Sequence, residues 1–326
     1  MSNPLGRTVT PDEYGRYGVA GTLAYHYTTA DVALRHIVPD KTLLLNPFSR
    51  MRDPIENKDW LRSAGYIGGR NHEEWGPGLR GALRRSKGWT MGKLNRDDHQ
   101  KAINAVRDAS RRLQRFTKVL SFTHDAPPVP EETYGMVWAD AYGRGYARPR
   151  MWEQYGDNHR GVCLAFDREL LYRGLMAPLK GLGSTFAGAI DYSVEHFTQH
   201  SRVRSLYAHE VLALGAGSYD LGMRRHVERH IFDLFFTKLP DWESEREYRY
   251  VVLAEDEDRN PVSFGDALRV VIVGESFPDS GLHVAQTVCA NAGAELGKVR
   301  WGPFPPEVFD PFEGPVVPAA DPLSEL

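Results

Sequence analysis

Glu245-Arg246-Glu247-Tyr248-Arg249-Tyr250-Val251-Val252-Leu253 reads as a β-strand. Successive side chains of a strand point to opposite faces, so Glu245, Glu247 and Arg249 share one face and Arg246, Tyr248 and Tyr250 the other. Two carboxylates two residues apart on one face repel each other. A guanidinium beside them can hold one ionised, while burial raises the pKa of its neighbour. Such a group suits a site that stabilises a developing cation or orients a sugar hydroxyl. The plainer alternative is the charged, solvent-exposed face of an edge strand.

Working outward, further short strands are expected at Leu23–Tyr27, Thr42–Leu45, Val119–Thr123, Gly161–Phe166, Ala187–Tyr192 and Leu268–Val273. Thr28-Thr29-Ala30-Asp31 looks like a capped helix start. Residues 99–118 space Ile103, Val106, Leu113 and Phe116 as a helix would, on an Arg-rich segment. One or two helical turns are expected over Met151–Tyr155, and two helices over 203–214 and 221–237. No repeat or low-complexity linker divides the chain. Strands mixed with helices in one unbroken unit predict a single α+β domain with helical insertions. The expected layout is a loose N-terminal arm over 1–22, a core over 23–274 with insertions near 60–118 and 127–148, and a Pro-rich extension over 275–326.

Composition narrows the function. The 326 residues hold 40 Lys+Arg and 43 Asp+Glu, for a net charge of −3. That balance excludes wholesale electrostatic binding to nucleic acid and leaves a local basic patch open. Two cysteines, Cys163 and Cys289, are too few for a disulfide framework or a Cys-rich zinc site. The first residues carry no apolar leader, and no run of about 18 apolar residues appears, so no membrane span is expected and the cytoplasm is the default location. The chain has no GxGxxG after a strand, no GxxxxGK[ST] loop and no GxSxG elbow, which sets aside the corresponding nucleotide folds and hydrolases. His226 and His230 share a helix face, but not in the His-Glu-x-x-His order, and no metal is expected.

Two more constellations carry chemistry. In Tyr25-His26-Tyr27-Thr28 a strand histidine next to a hydroxyl can donate hydrogen bonds to a ribose or phosphate; the bland reading is a packed histidine bonded to a backbone carbonyl. In Met151-Trp152-Glu153-Gln154-Tyr155, Trp152 and Tyr155 lie three apart on a helix and can stack on a planar ring, or simply fill the core.

Taken together, His26-Tyr27-Thr28, Arg52-Asp53-Pro54-Ile55-Glu56, Phe122-Thr123, the Met151–Cys163 block and Lys238…Trp242-x-x-Glu245-x-Glu247-x-Arg249 resemble the bacterial DUF2971 family. Arg52 departs from the Asn usual at its position. The order His26, Tyr155, Glu247 is also similar to that of the ADP-ribosyltransferase superfamily. That resemblance implies two small central β-sheets around a cleft that binds NAD as substrate, with no need of GxGxxG. It further implies that His26, with Tyr27 and Thr28, holds the adenosine-side ribose, and that Tyr155 with Trp152 stacks on the nicotinamide. Glu247 would stabilise the oxocarbenium, Glu245 would orient an acceptor, Arg249 would keep the carboxylates in place, and Arg50 or Arg52 would meet the pyrophosphate. The expected activity is then an ADP-ribosyltransferase or NAD glycohydrolase in a toxin or phage-defence role, with a nucleic-acid or protein acceptor. Two alternatives stand beside it. One is a nucleic-acid-binding or nucleic-acid-acting defence protein, using Arg107, Arg111, Arg112, Arg115, Lys118 and the basic stretch Arg80–Lys87. The other is a sensing module that binds a nucleotide without turning it over.

Overall fold

The computed structural model describes residues 22–51, 53, 56, 108, 111–126, 142–194, 227–228, 230–254, 259–302 and 306–312. Their strands are β1 (Leu23–Thr28), β2 (Thr42–Leu44), β3 (Asn46–Pro47), β4 (Thr117–His124), β5 (Val162–Asp167), β6 (Gly183–Ala189), β7 (Glu247–Ala254), β8 (Pro261–Ser263), β9 (Leu268–Val273), β10 (Glu295–Arg300) and β11 (Glu307–Phe309). The helices used below are α1 (Pro149–Gln154), α2 (Arg168–Leu182), α3 (Ile231–Phe235) and α4 (Leu282–Ala292). A further helical segment, capped by Thr29, runs through Ala30–Val32, Ala33–Ile37 and Val38–Asp40.

The fold is α+β, and two sheets are present. They are unequal: a nine-stranded sheet ordered β11-β10-β9-β5-β1-β4-β7-β6, with β3 beside β4, and a two-stranded β2–β8 ribbon. Pairing in the large sheet is antiparallel except for β9–β10. Among the described residues no helix is long and apolar enough to cross a membrane.

Strand alternation sorts the core. One face carries Leu120, Phe122, Leu164, Phe166, Val252 and Val271, and α2 covers it with Leu171, Leu175 and Leu179. Those three leucines fall four apart, one per helical turn. Asp167 starts α2 by accepting from the amides of Glu169 and Leu170 at 3.1 and 2.9 Å. The opposite face carries two separate apolar clusters. One gathers Tyr25, Tyr27, Trp152 and Cys163; the other gathers Phe48, Val119, Phe235 and Val251. Between them the same face turns polar, because Ser121 opposes Arg249 and Thr123 opposes Glu247 across β4 and β7. This break in the apolar surface is where the site lies.

A second feature opens the sheet there. β1 pairs β5 along its full length, but meets β4 only at Ala24↔His124 and Tyr25↔Thr123. Beyond that point β4 takes β3 as its neighbour, through Asn46↔Val119 and Pro47↔Lys118. The β1–β4 seam therefore splays after two pairs.

Several boundaries differ from the expectations. The strand begins at Glu247, because Pro240–Glu245 forms a 3-10 turn and Arg246 takes a left-handed conformation at φ 43°. Helix α2 was not legible, as Pro178 and Gly174 inside it blur the helical period. The strand expected at 187–192 sits earlier, at Gly183–Ala189. Residues 111–116 are helical, but Lys118 is a buried residue of β4, not part of an Arg-rich helix. Residues expected as a C-terminal extension supply α4, β10 and β11, so the sheet runs across the expected boundary at 274. The arm over 1–21, Arg52, residues 57–107 and 127–141, the helix at 203–214, and His226 lie outside the described residues.

Candidate functional site

A cavity of about 310 Å³ occupies the opened seam. β1 gives it Tyr25, His26 and Tyr27; β4 gives Ser121 and Thr123; α1 gives Met151 and Tyr155. Lys238, Glu245 and Glu247 close one side, and Asn46 and the exposed Arg50 another. His26, Tyr155, Glu245 and Glu247, spread over more than 200 residues of chain, thus line one cavity.

The acidic side is a buried ion-pair chain. Lys238 Nζ lies 2.7 Å from Glu245 Oε2 and 2.6 Å from Glu247 Oε2. Arg249 meets Glu247 with two donors, Nε to Oε1 at 2.5 Å and Nη2 to Oε2 at 2.9 Å. Its Nη1 reaches Glu56 Oε1 at 2.6 Å and the Phe235 carbonyl at 2.8 Å. The Tyr155 hydroxyl donates to Glu245 Oε1 at 3.1 Å, and the Glu247 amide donates to the Tyr192 hydroxyl at 2.9 Å. Glu245, Glu247 and Arg249 are all buried, so the exposed edge-strand reading does not hold.

Local sequence explains the arrangement. The Pro240–Glu245 turn folds the chain back after Lys238, and Arg246 at positive φ reverses it into β7. Glu245 and Glu247 thereby reach the same ammonium although one is in a turn and the other in a strand. Lys238 itself is anchored through its amide to the Asp191 carbonyl at 3.0 Å.

Charge follows from these contacts. Burial pushes the Glu247 carboxyl up, but Arg249 and Lys238 outweigh it and hold the group at about 2, against an ordinary 4.5. Glu56 goes the other way: burial dominates, and its carboxyl is raised despite Arg249. Its Oε2 has no hydrogen-bond partner among the described residues. Burial works against the Lys238 ammonium, yet the surrounding carboxylates raise its pKa and keep it charged. The Tyr155 phenol is raised by burial and by Glu245, so it stays a neutral donor.

His26 is bonded to a backbone carbonyl, as its bland reading has it, and also lines the cavity. Its Nδ1 lies 3.0 Å from the Ser121 carbonyl, spanning the gap where the β1–β4 ladder stops. A carbonyl can only accept, so Nδ1 carries the proton and Nε2 is left as an acceptor. Burial lowers the imidazole pKa, against the pull of that carbonyl. A neutral ring accepting at Nε2 replaces the expected donor.

Other expected site residues fall elsewhere. Trp152 is fully buried, packs edge-on to Tyr27 at 5.2 Å and donates from Nε1 to the Tyr146 carbonyl at 2.8 Å; it fills the core and does not reach the cavity. Arg249 stands behind Glu247, not in the cavity wall, and Thr28 is not in the wall either. Tyr27 reaches the wall while its hydroxyl donates to the Gly145 carbonyl at 2.6 Å. Sequence reasoning named Lys238, Glu56 and Thr123 within the family-like blocks but gave them no chemical role, and it gave none to Tyr192. Besides its place in that block, Lys238 carried a second signal, a lone cation in the mostly apolar run Phe235-Phe236-Thr237-Lys238-Leu239.

No curated protein and no solved structure matches the chain. The likeness to ADP-ribosyltransferases draws no support from these comparisons. The chain does match the family model described as a protein of unknown function (DUF2971), over residues 151–250, the segment that supplies Tyr155, Lys238, Glu245, Glu247 and Arg249.

Proposed function

We propose that the cavity binds the nicotinamide-ribose end of NAD and breaks the glycosidic bond, as an ADP-ribosyltransferase or NAD glycohydrolase. The observation that carries this reading is Glu247: a carboxylate held ionised in the lining of the cavity that His26 and Tyr155 also line. In the reaction the C–N bond breaks and its electron pair leaves with neutral nicotinamide. The ribose becomes an oxocarbenium ion, which a fixed carboxylate stabilises. Water or an acceptor nucleophile then adds to the sugar and gives up a proton. Tyr155 packs against the leaving ring, and His26 Nε2 accepts from a ribose hydroxyl. The cavity is at the small end of the range for ligand pockets. The rest of the dinucleotide therefore runs outward past Arg50, whose guanidinium suits a phosphate. The proposal places the reaction in the cytoplasm, in a toxin or defence role.

The test is nicotinamide release from NAD by wild type and Glu247→Gln, with near-UV circular dichroism as a check on folding. Loss of the carboxylate is expected to lower the rate on the order of 100-fold or more. Equal release from both proteins, or none from wild type with any acceptor, removes the reading. One observation favours a second reading: Lys238 engages both carboxylates, which suits a site that binds the nucleotide without turning it over. Calorimetry with NAD, followed by mass analysis of the recovered nucleotide, separates the two.

A further inference from the structure

We propose that a second cavity, on the other face of β7 from Glu247, binds a nucleotide unit: a planar base together with its phosphate. The cavity measures about 430 Å³ and shares no wall residue with the first. Alternation along β7 sends Tyr248 and Tyr250 to this face, and α2 brings Arg168 and Tyr172 over them. The rings form a connected set. Tyr248 and Tyr250 meet edge-on at 5.6 Å, and Tyr172 lies 6.4 Å from Tyr250. His124 stacks on Tyr248 at 4.6 Å with 19° between the planes, which fixes that ring from behind. Tyr172 is 45% exposed, so the set ends in an open aromatic surface.

Charge decides the ligand class. Two acids border the cavity, and both are engaged. Asp167 caps α2 and pairs with Arg269 at 3.3 Å, and Glu169 pairs with Arg173. Arg168 makes no ion pair among the described residues; its guanidinium sits 5.7 Å from the Tyr248 ring. The unengaged charge at the cavity is therefore positive and lies beside an aromatic platform. A neutral sugar would use the rings and leave the guanidinium idle. A nucleotide uses both, with its base on a tyrosine and its phosphate on Arg168. The inference stands apart from the NAD reading and does not require it.

The unit can come from a free nucleotide or from single-stranded nucleic acid, and the experiment distinguishes them. Fluorescein-labelled oligo-dT and oligo-rU are titrated with the full chain at low salt and followed by anisotropy. AMP and UMP are titrated by calorimetry. Tyr172→Ala and Arg168→Gln are the variants, since both side chains are exposed and neither supports the core. Tyr172→Ala is expected to weaken binding at least about 5-fold. Arg168→Gln is expected to lower the slope of log affinity against log salt by about 0.7 on the oligonucleotide. Oligonucleotides binding far more tightly than AMP or UMP point to a strand, and comparable binding points to the free nucleotide. The inference is overturned if neither class binds, if both variants bind as wild type does, or if an uncharged sugar displaces the probe.

Discussion

Replacing Lys238 with Met tests the buried charge chain directly. The ammonium is 4% exposed and contacts two carboxylates at 2.7 and 2.6 Å, with the Trp242 ring 5.2 Å away. Methionine keeps most of the volume and removes the charge. Glu245 and Glu247 then face each other with Arg249 alone to hold one of them. Breaking a buried pair by removing one partner costs about 3–5 kcal/mol, because a desolvated charge is left uncompensated. The pH dependence sharpens the test. In the wild type Glu247 is depressed from 4.5 to about 2. It therefore contributes stability that is fully present above 4.5 and is lost as pH falls from there toward 2, on the order of 3 kcal/mol. In Lys238→Met that carboxyl moves back up, so the variant has less to lose on acidification. Urea unfolding at pH 7 should show a lower midpoint for the variant. The gap should narrow as pH falls through 4.5. A gap under about 1 kcal/mol at pH 7, or one that stays constant down to pH 3, refutes the reasoning.

Three other outcomes are expected. Burial raises the Glu56 pKa, so its protonated form is the one the fold favours; that contribution is present below the ordinary 4.5 and is lost as pH rises and the carboxyl ionises; Glu56→Gln should cost less in urea unfolding at pH 7 than Glu247→Gln, and a larger cost would contradict the assigned directions. Trp152→Ala removes a fully buried indole and its hydrogen bond to Tyr146; about 3–5 kcal/mol should be lost in thermal or urea melts, and a loss near zero would place the ring outside the core. Gly161→Ala puts a Cβ 2.4 Å from the Thr28 carbonyl oxygen and 2.8 Å from the Gly156 backbone; the β1–β5 junction should lose about 1–3 kcal/mol, and an unchanged melting temperature would show that it gives way freely.

The strands that carry the site were legible because their residues alternate. Glu247 and Arg249 fall on one face of β7, with Tyr248 and Tyr250 on the other, as the period of two requires. Gly161–Phe166 and Leu268–Val273 were legible as apolar runs, and each has a strand as neighbour on both sides. What escaped depends on tertiary geometry. Glu245 appeared to continue the strand, since nothing local shows that Arg246 takes positive φ and turns it toward Lys238. Glu56 became part of the site only because it meets the Arg249 guanidinium, 193 residues away, and Lys238 because the Pro240–Glu245 turn folds its near neighbours Glu245 and Glu247 back onto its ammonium. His26 was ambiguous for a similar reason. Its carbonyl partner, Ser121, is 95 residues away, and the gap that the imidazole spans exists only because β4 exchanges β1 for β3.

The charge chain also limits what the cavity can receive. Among the described residues, three buried carboxyl groups, Glu56, Glu245 and Glu247, are connected to two buried cations, Lys238 and Arg249. A set with one acid in excess can settle by keeping a proton on one carboxyl or by taking a positive charge from outside. Glu56 is suited to the first, since burial raises its pKa and its second oxygen has no hydrogen-bond partner among the described residues. Glu247 is suited to the second, since it is held ionised and faces the cavity. Proton and ligand are then coupled through Arg249, which touches both carboxyls. A cationic group arriving at Glu247 weakens the claim of that carboxylate on the guanidinium, strengthens that of Glu56, and favours release of its proton. Binding of a positively charged ring should therefore release protons to solvent, and Glu56→Gln should abolish that release. Calorimetry of NAD binding in two buffers of different ionisation enthalpy measures it directly. Equal apparent enthalpies for the wild type would mean that the excess charge is compensated elsewhere.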